Sequence, residues 1–307
     1  MAQLTLPRRE AERRQFLPRH WTRYVYPAPL LIILAALIIF PILYALRYSF
    51  YDYYLTRGTM RFVGLQNYVE AFQDQIFRQA VWVNARIIVA SLFAEFSLGL
   101  LLALACHSIR RGRAVIVALL TVPIMISTSA AGMSFRMIML PEYGPLNYII
   151  GFLTGRGWVA IDWFGDPGWA IWSLVIANVW HAMPFVMLIL LAGLVAINQE
   201  LYEAAKIDGA NSWRLFRDIS WPLLRGPLIV VFLLRLIELV KMFDLVFLLT
   251  QGGPARTTET MSFYVYYVGL RFFRVGYGVT LSLFLLVLTI VLAMALLRIT
   301  RRSEVLM

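Results

Sequence analysis

Four ionisable residues stand inside one strongly apolar stretch of the sequence. Arg235, Glu238, Lys241 and Asp244 follow one another at intervals of three and alternate in sign. At the centre of a membrane-spanning helix each charge costs about 2.5 to 3.5 kcal/mol, whereas each Leu, Ile, Val or Phe returns only about 0.3 to 0.6 kcal/mol. A helix with this pattern must therefore face the protein interior or a wet pathway, where pairing between residues i and i+3 offsets part of the cost. Two interpretations stay open at this point, a polar lining for a pathway and a salt-bridge network that locks helix packing.

The composition of the whole chain also points to a lipid bilayer. The chain has 307 residues, and 61% of them are hydrophobic, which is more apolar side chain than one water-soluble core encloses. A spanning helix needs about 20 mostly apolar residues. Six stretches meet this length: 25–46, 81–106, 114–138, 169–197, 228–250 and 277–297. The sequence therefore predicts an all-α integral membrane protein with six transmembrane helices.

The net charge of +11 is explained by membrane topology. Basic residues crowd into the first 24 residues, the segments after the second and fourth stretches and the C-terminal end, whereas the alternate loops carry fewer and balance them with acids. By the positive-inside rule both termini lie in the cytoplasm, and residues 1–24 form a cytoplasmic N-terminal segment. Nucleic-acid binding is then an unnecessary explanation of the charge, and we expect no nucleic-acid partner.

Several kinds of enzyme chemistry lack their residues in this chain. The phosphate-binding loop of ATPases requires G-x-x-x-x-G-K-[ST], but the two lysines, Lys206 and Lys241, are followed by Ile and Met. Cys106 is the only cysteine, so an internal disulfide or a thiol metal cluster is excluded, and neither a His-x-x-x-His pair nor a Gly-x-Ser-x-Gly elbow occurs. The sequence predicts a protein that is not an enzyme and that takes energy from a partner.

The segment 198–226 has helical periodicity but is too short to span a membrane. Its centre reads Glu203-Ala204-Ala205-Lys206-Ile207-Asp208-Gly209-Ala210, and Phe216, Ile219 and Pro222 follow. Glycine is the residue best suited to a sharp bend between helices. We therefore predict two short helices that are joined at Gly209 and lie along the membrane surface, with Pro222 closing the unit and Pro227 opening the fifth span.

This segment resembles the EAA loop of binding-protein-dependent ABC importers, apart from Trp221, where that family usually has leucine. A second block, Phe243-Asp244 with Leu249-Thr250-Gln251-Gly252-Gly253-Pro254, is similar to the carbohydrate-type permeases of the maltose and glycerol-phosphate type. Asn178-Val179-Trp180 and Pro184 add to a similarity that covers residues 25–300. The resemblance implies a type I ABC importer (MetI-like) transmembrane domain over residues 25–300, which includes the coupling loop 198–226.

The resemblance also implies two sets of functional residues. The set that couples the chain to an ATPase is Glu203, Ala204, Ala205, Asp208, Gly209 and Ala210. The set along the substrate pathway is Asn178, His181, Ala182, Phe185, Arg235, Glu238, Leu239 and Met242. Asn178 is the one polar residue of the second set that is identical to the maltose-type pattern, so it is the first candidate to contact the substrate.

Partners and cargo are implied by the same resemblance. It describes a permease subunit that moves a carbohydrate, such as a sugar, a glycoside or a polyol, inward across an inner (plasma) membrane. The implied partners are a second homologous permease subunit, two ATP-binding subunits and an extracytoplasmic solute-binding protein, besides the lipid bilayer. We expect no cofactor or metal on this chain, because ATP and Mg are held by the ATPase subunits.

Three alternatives stay open beside this interpretation. An ion-coupled secondary transporter also places ionisable residues in a span. An ABC importer permease for a non-sugar solute has the same loop, and a non-transporting membrane scaffold needs neither loop nor cargo. The other polar residues within the spans are interpreted as mainly structural: Asn84, Arg86, Glu95 and Arg136.

Overall fold

The structure, a computed structural model, describes residues 26–109 and 111–304. The predicted cytoplasmic segment 1–24 lies outside these residues. The chain divides into two compact units, residues 1–47 and 48–307. The described part of the first unit belongs to helix α1 (Ala28–Ser49), which is apolar along its length and contains Pro41.

Helices dominate the second unit. They are α2 (Gln66–Gln73), α3 (Gln75–Ser108), α4 (Arg113–Leu120), α5 (Val122–Met125), α6 (Thr128–Ile138), α7 (Pro145–Leu153), α8 (Pro167–Val195), α9 (Gln199–Ile207), α10 (Ser212–Leu215), α11 (Trp221–Val240), α12 (Met261–Tyr266) and α13 (Val275–Glu304). Three π turns join or extend them, at Phe216–Ser220, Val246–Thr250 and Tyr267–Arg271. The strands β1 (Tyr51–Tyr54) and β2 (Thr59–Phe62) form one antiparallel hairpin in which Tyr51 is opposite Phe62.

Within the described residues, four helices are long and apolar enough to cross a membrane: α1, α3, α8 and the part of α13 up to Arg298. Two of the six predicted spans are interrupted instead. The stretch 114–138 contains the three helices α4, α5 and α6, and the stretch 228–250 contains the end of α11, a non-helical break and a π turn. The count of six spans therefore stays a prediction.

The expected boundary at Pro227 is wrong. Helix α11 begins at Trp221, follows the π turn Phe216–Ser220 without a gap, and contains Pro227 in its interior. Pro222 is the second residue of α11 and lies inside the same continuous helical stretch, so it does not close the unit as expected. The backbone is thus continuously helical from Ser212 in the coupling loop to Val240 in the fifth apolar stretch.

Helices α3 and α8 form the centre of the second unit, and α11 packs against both. One buried cluster surrounds Ile87, Leu174 and Leu239, and a second surrounds Ala103 and Leu190. Of the 18 most apolar consecutive residues in each helix, 61% are buried in α8, against 33% in α3. Helix α8 is therefore the helix around which the others are arranged.

Gly99 sets how closely α3 approaches α8. A Cβ atom at this position would lie 2.8 Å from Val186 Cγ1 and 3.2 Å from the backbone nitrogen of Met187. Small residues at helix contacts let membrane helices come this close. We expect Gly99→Ala to lower the melting temperature of the purified protein, with a loss of about 1–3 kcal/mol typical of overpacking.

Gly226 in α11 supplies the matched control for Gly99. A Cβ atom there meets nothing within 4 Å, so Gly226→Ala adds a methyl group to a helix without a clash. Alanine in a helix interior is more favourable than glycine by about 0.5–1 kcal/mol. A melting temperature that falls equally in both variants would contradict the close packing at Gly99.

Asp74 ties the start of α3 to α12 and α13. Its Oδ1 accepts hydrogen bonds from the backbone nitrogens of Ile76 at 2.8 Å and Phe77 at 3.2 Å. Its Oδ2 accepts from the hydroxyl groups of Tyr264 at 2.6 Å and Tyr277 at 2.7 Å. Burial acts to raise the pKa of Asp74, but these four hydrogen bonds outweigh burial and hold the pKa below its usual value.

Candidate functional site

A polar cavity of about 300 Å³ lies between α8 and α11. It is lined by Thr128, Asn178, His181, Arg235, Glu238, Lys241, Met242, Phe243, Asp244 and Leu245. Six of these ten side chains carry a charge or an amide or imidazole group. The cavity is therefore the first candidate for the place where a polar molecule is handled.

The cavity forms where α11 stops. The helix ends at Val240, and residues 241–243 are not helical before the chain resumes helical turns. The carbonyl oxygen of Met242 accepts a hydrogen bond from Thr260 Oγ1 at 3.0 Å, and that of Leu239 accepts from Asn84 Nδ2 at 3.3 Å. Non-helical backbone inside a membrane is tolerated where it is buried in protein or lines a cavity, and both conditions hold here.

A second helix break borders the same cavity. Between α5 and α6 the backbone at Ile126 is extended, and Ser127 caps the start of α6. His181 Nε2 lies 2.9 Å from the carbonyl oxygen of Ile126. Because a carbonyl oxygen only accepts, Nε2 carries the hydrogen in this contact. His181 thus satisfies a backbone group that the break leaves without a helical partner.

Glu95 of α3 holds together the polar residues behind the cavity. Its Oε1 accepts from Asn178 Nδ2 at 2.6 Å and from Arg235 Nη2 at 3.0 Å, and its Oε2 accepts from Arg235 Nε at 2.8 Å. The Arg235 side chain is 6% exposed and that of Glu95 is 0% exposed. Charged pairs with two parallel hydrogen bonds are the strongest of their kind and fix orientation as well as distance. Three helices, α3, α8 and α11, therefore meet in one ionic network.

Arg235 also contacts two residues that line the cavity. Its Nη2 also donates to Asn178 Oδ1 at 3.2 Å, and its Nη1 pairs with Glu238 one turn further along α11. The Glu238 side chain is 60% exposed, so its carboxylate has free capacity to accept hydrogen bonds from a molecule in the cavity. Arg235 therefore braces the helices, while Glu238, Lys241 and Asp244 line the cavity. That this lining belongs to a transport pathway stays a prediction.

The predicted pathway residues divide into two groups. Five of the eight line the cavity: Asn178, His181, Arg235, Glu238 and Met242. Ala182 and Leu239 are buried away from it, at 3% and 1% exposure, and Phe185 is half-buried against the second apolar cluster. Their assignment to the pathway stays a prediction.

Sequence reasoning missed Glu95 as a member of the site. It appeared only as one structural polar residue among several, although an acid inside an apolar helix is itself a signal for a partner of opposite charge. The partner, Arg235, lies 140 residues further along the chain, so no local spacing relates the two. Of the other residues interpreted as structural, Asn84 and Arg136 hydrogen-bond carbonyl groups of interrupted helices, at Leu239 and Leu248.

The coupling loop has the predicted bend and a defined cap on each helix. Asn198 Oδ1 accepts from the nitrogen of Glu200 at 3.1 Å at the start of α9, and Asn211 Oδ1 accepts from the nitrogen of Arg214 at 2.9 Å at the start of α10. Gly209 has φ +79°, a left-handed conformation that favours glycine. Its position after the last turn of α9 makes it a glycine cap of the Schellman type.

The hydrogen bonds of that cap explain why the two helices diverge at Gly209. The nitrogen of Gly209 donates to Lys206 O at 3.0 Å, and the nitrogen of Ala210 donates to Ala205 O at 2.9 Å. These bonds satisfy the last carbonyl groups of α9 and turn the chain away from the helix axis. The loop is therefore an ordered unit with two short helices at a fixed bend.

The surface of the coupling loop is exposed and partly apolar. Ile207 is 87% exposed and Trp213 is 63% exposed. The predicted coupling residues lie on this surface, where Glu203, Ala204, Asp208 and Gly209 are exposed and Ala205 and Ala210 are half-exposed. Large apolar side chains exposed beside charged ones are a common feature of protein interaction sites.

In the part of the chain that the structure describes, no group of three or more His, Cys, Asp or Glu side chains is placed to hold a metal ion. The absence of a bound metal stays an expectation. Two charged residues that line the cavity, Arg235 and Glu238, pair with each other, and Arg235 also pairs with Glu95.

Long apolar helices, together with a polar cavity that lies at two helix breaks, are typical of a multi-pass membrane permease. The chain belongs to the family of binding-protein-dependent transport system inner membrane components, whose sequence profile matches residues 75–304. It is therefore a multi-pass inner-membrane protein, and the resemblance derived from the coupling loop is confirmed.

Two relatives show how far the similarity extends. The trehalose/maltose transport system permease protein MalF of Thermococcus litoralis is 34% identical over 267 residues, which cover 87% of this chain and 90% of that protein. The sulfoquinovosyl glycerol transport system permease protein SmoG of Agrobacterium fabrum is 31% identical over 299 residues, which cover 94% and 96%.

The fold is also found in a solved structure. A chain of the bacterial alginate ABC transporter, crystallised in complex with an alginate pentasaccharide-bound periplasmic protein, superimposes with a TM-score of 0.79 at 23% sequence identity. The match covers 93% of this chain and 96% of that chain. The predicted all-α membrane fold of a type I importer is thereby confirmed.

Proposed function

We propose that this chain is the permease subunit of an ATP-driven, binding-protein-dependent importer that moves a carbohydrate inward. The observation that carries the proposal is the cavity between α8 and α11, where charged and amide groups meet at a helix break. The relatives named for trehalose, maltose and sulfoquinovosyl glycerol transport favour a sugar, a glycoside or a polyol as the cargo.

The chemistry of the cavity suits hydroxyl groups. Each hydroxyl both donates and accepts a hydrogen bond. The cavity offers acceptors on Glu238 and Asp244, a donor on Lys241, and the ring of Phe243 as an apolar face. Mixed donors and acceptors beside an aromatic ring match a polyhydroxy molecule better than an apolar one.

Energy is supplied by partner subunits in this proposal. Two separate ATP-binding subunits hold ATP and Mg, and the coupling loop 198–226 docks on them through Glu203 and the alanines beside it. The exposed side chains of Ile207 and Trp213 support this assignment, because large apolar side chains exposed beside charged ones are common at protein interaction sites. Tight seating of a helix in a groove requires small side chains, and Ala204 and Ala205 provide them.

The transport pathway is shared with a second homologous permease subunit. A cavity that lies along α8 and α11 of one chain becomes an enclosed pathway when a second chain covers it. An extracytoplasmic solute-binding protein delivers the cargo, movement of the coupling loop changes the side from which the cavity is open, and Glu238 and Asn178 release the cargo to the cytoplasm.

Uptake into proteoliposomes tests the function. A thermal-shift screen of the cognate binding protein against a carbohydrate panel first selects the labelled sugar to be used. The complete complex is then reconstituted with ATP in the lumen and loaded binding protein outside. We expect sugar uptake that requires ATP and persists when an ionophore collapses ion gradients.

Two results would contradict the proposal. Uptake that disappears with the ionophore alone, and continues without ATP, would assign the chain to ion-coupled transport. A binding protein that is stabilised only by non-sugar solutes would leave the importer in place but replace its cargo. Omission of ATP from the lumen is the control for leakage through the liposomes.

A further inference from the structure

Tyr202 joins the two ends of the coupling loop. Its hydroxyl oxygen lies 2.8 Å from the hydroxyl oxygen of Ser220, 18 residues further along the chain. Ser220 is buried, at 5% exposure, and is the last residue of the π turn that leads into α11. Tyr202 itself is half-buried and lies beside Glu203, which is exposed. The side chain of Tyr202 therefore points back into the protein, whereas that of its neighbour Glu203 is on the exposed surface of the loop.

The direction of this hydrogen bond follows from a third group. Ser220 Oγ also lies 3.4 Å from the carbonyl oxygen of Leu215, which only accepts. Ser220 donates to Leu215, so Tyr202 donates to Ser220. The pair links α9 to the π turn and, through it, to the last residue of α10.

The ring of Tyr202 makes a second connection, to the end of α3. Its centroid lies 6.4 Å from that of His107, with the two rings tilted by 41°. Helix α3 carries Glu95 about 18 Å away, at 1.5 Å per residue, and α11 carries Arg235 about 22 Å from Ser220. One tyrosine thus contacts α3 and the π turn that continues into α11, the two helices whose ion pair lies behind the cavity.

We propose that Tyr202 is a positioning residue that makes the coupling loop and the ends of α3 and α11 move together. The proposal rests on the proposed function. Without this link, a push on α9 turns the helix about the connection at Asn198, because the side-chain hydrogen bonds found for Asn198 among the described residues go to Glu200 of α9 itself. With this link, a movement of α9 is passed to the ends of α3 and α11, whose ion pair lies behind the cavity.

Tyr202→Phe and Ser220→Ala test the link by removing one hydroxyl group each. Tyr202→Phe retains the ring that contacts His107, so it isolates the hydrogen bond. In the reconstituted complex we expect either change to lower the number of sugar molecules imported per ATP hydrolysed by about two- to tenfold, the factor that corresponds to the free energy of one hydrogen bond. The double change should lower this number no further than either single change does. A merely structural role would lower ATP hydrolysis and uptake together and leave this ratio unchanged.

Ser108→Ala is the matched control. Ser108 is exposed at the end of α3, and its hydroxyl group bonds only locally, to the carbonyl oxygen of Ala105 at 2.7 Å. We expect the import ratio of this variant to equal that of the unaltered complex. An import ratio that stays unchanged in Tyr202→Phe and Ser220→Ala as well would overturn the proposal.

Hydrogen exchange supplies a readout that does not depend on transport. Tyr202→Phe should raise the exchange of backbone amides in residues 199–220 of the purified complex and leave those of α8 unaltered. Unchanged exchange in 199–220 would overturn the role of Tyr202 whatever the uptake result. An unaltered complex that shows no ATP-dependent uptake would overturn the proposed function instead, so the two failures are distinguishable.

Discussion

Glu95→Ala is expected to destabilise the protein by about 3–5 kcal/mol, because it leaves the guanidinium group of Arg235 buried without its counter-charge. Glu95 accepts three of the hydrogen bonds that hold Arg235 and Asn178, and its side chain is fully buried. The melting temperature of the purified complex should fall, and sugar uptake should fall with it, since Asn178 loses the acceptor that orients its amide group.

A double substitution separates the stability of this network from its function. Replacing a buried ion pair by apolar side chains of similar volume is often neutral or stabilising. We therefore expect Glu95→Leu combined with Arg235→Met to recover most of the melting temperature that Glu95→Ala loses. Uptake should stay low, because the cavity has lost Arg235 from its lining and Asn178 has lost both groups that orient its amide. Normal uptake in the double variant would contradict a role of the network in the pathway.

Glu238→Gln is the control for the same network. Its side chain is 60% exposed, and Arg235 keeps its two hydrogen bonds to Glu95, so this change leaves no buried charge without a partner. The melting temperature should therefore stay close to that of the unaltered protein. A loss as large as that of Glu95→Ala would show that burial is not what makes Glu95 important.

Gly209→Pro is expected to abolish transport while the membrane subunits still assemble. Proline cannot adopt the φ of +79° found at Gly209, and it removes the N–H that donates to Lys206 O. The cap of α9 is lost, and Glu203 is no longer held at a fixed angle to α10. Uptake assays, combined with co-purification of the ATPase subunits, measure the effect.

A series at the same position tests whether backbone conformation is the cause. A Cβ atom at Gly209 meets nothing within 4 Å, so Gly209→Ala changes only the preference of the backbone, at about 1–2 kcal/mol. Asparagine visits the left-handed region more readily than alanine. We expect uptake to decrease in the order glycine, asparagine, alanine, proline, and an alanine variant more active than asparagine would contradict this explanation.

Glu203→Ala complements the glycine series by removing a charge from the exposed face of the loop. Glu203 is exposed and does not take part in the cap of α9. The fold of the loop should therefore persist while binding of the ATPase subunits weakens. Retention of full transport in both Glu203→Ala and Gly209→Pro would contradict the assigned role of the coupling loop.

The parts of the fold that sequence predicted well are those with a local cause. Continuous apolar runs predicted the helices α1, α3, α8 and α13, because the length needed to cross a bilayer is written directly in consecutive residues. The bend at Gly209 was also predicted from local sequence, because a glycine between two helical patterns favours a turn at that residue. Hydropathy alone did not predict the helix breaks at residues 126–127 and 241–243, because the side chains that satisfy the broken backbone come from other helices.

Sequence by itself determined the class of protein and the position of its coupling loop, since both depend on composition and on motifs within short segments. Tertiary structure alone decided that Glu95 holds Arg235 and Asn178, that two helix breaks open onto one cavity, and that Tyr202 reaches Ser220 and His107. The physical reason is that these contacts join groups far apart in the chain. Their partners are chosen by helix packing and by the high cost of an unpaired charge or backbone group away from water.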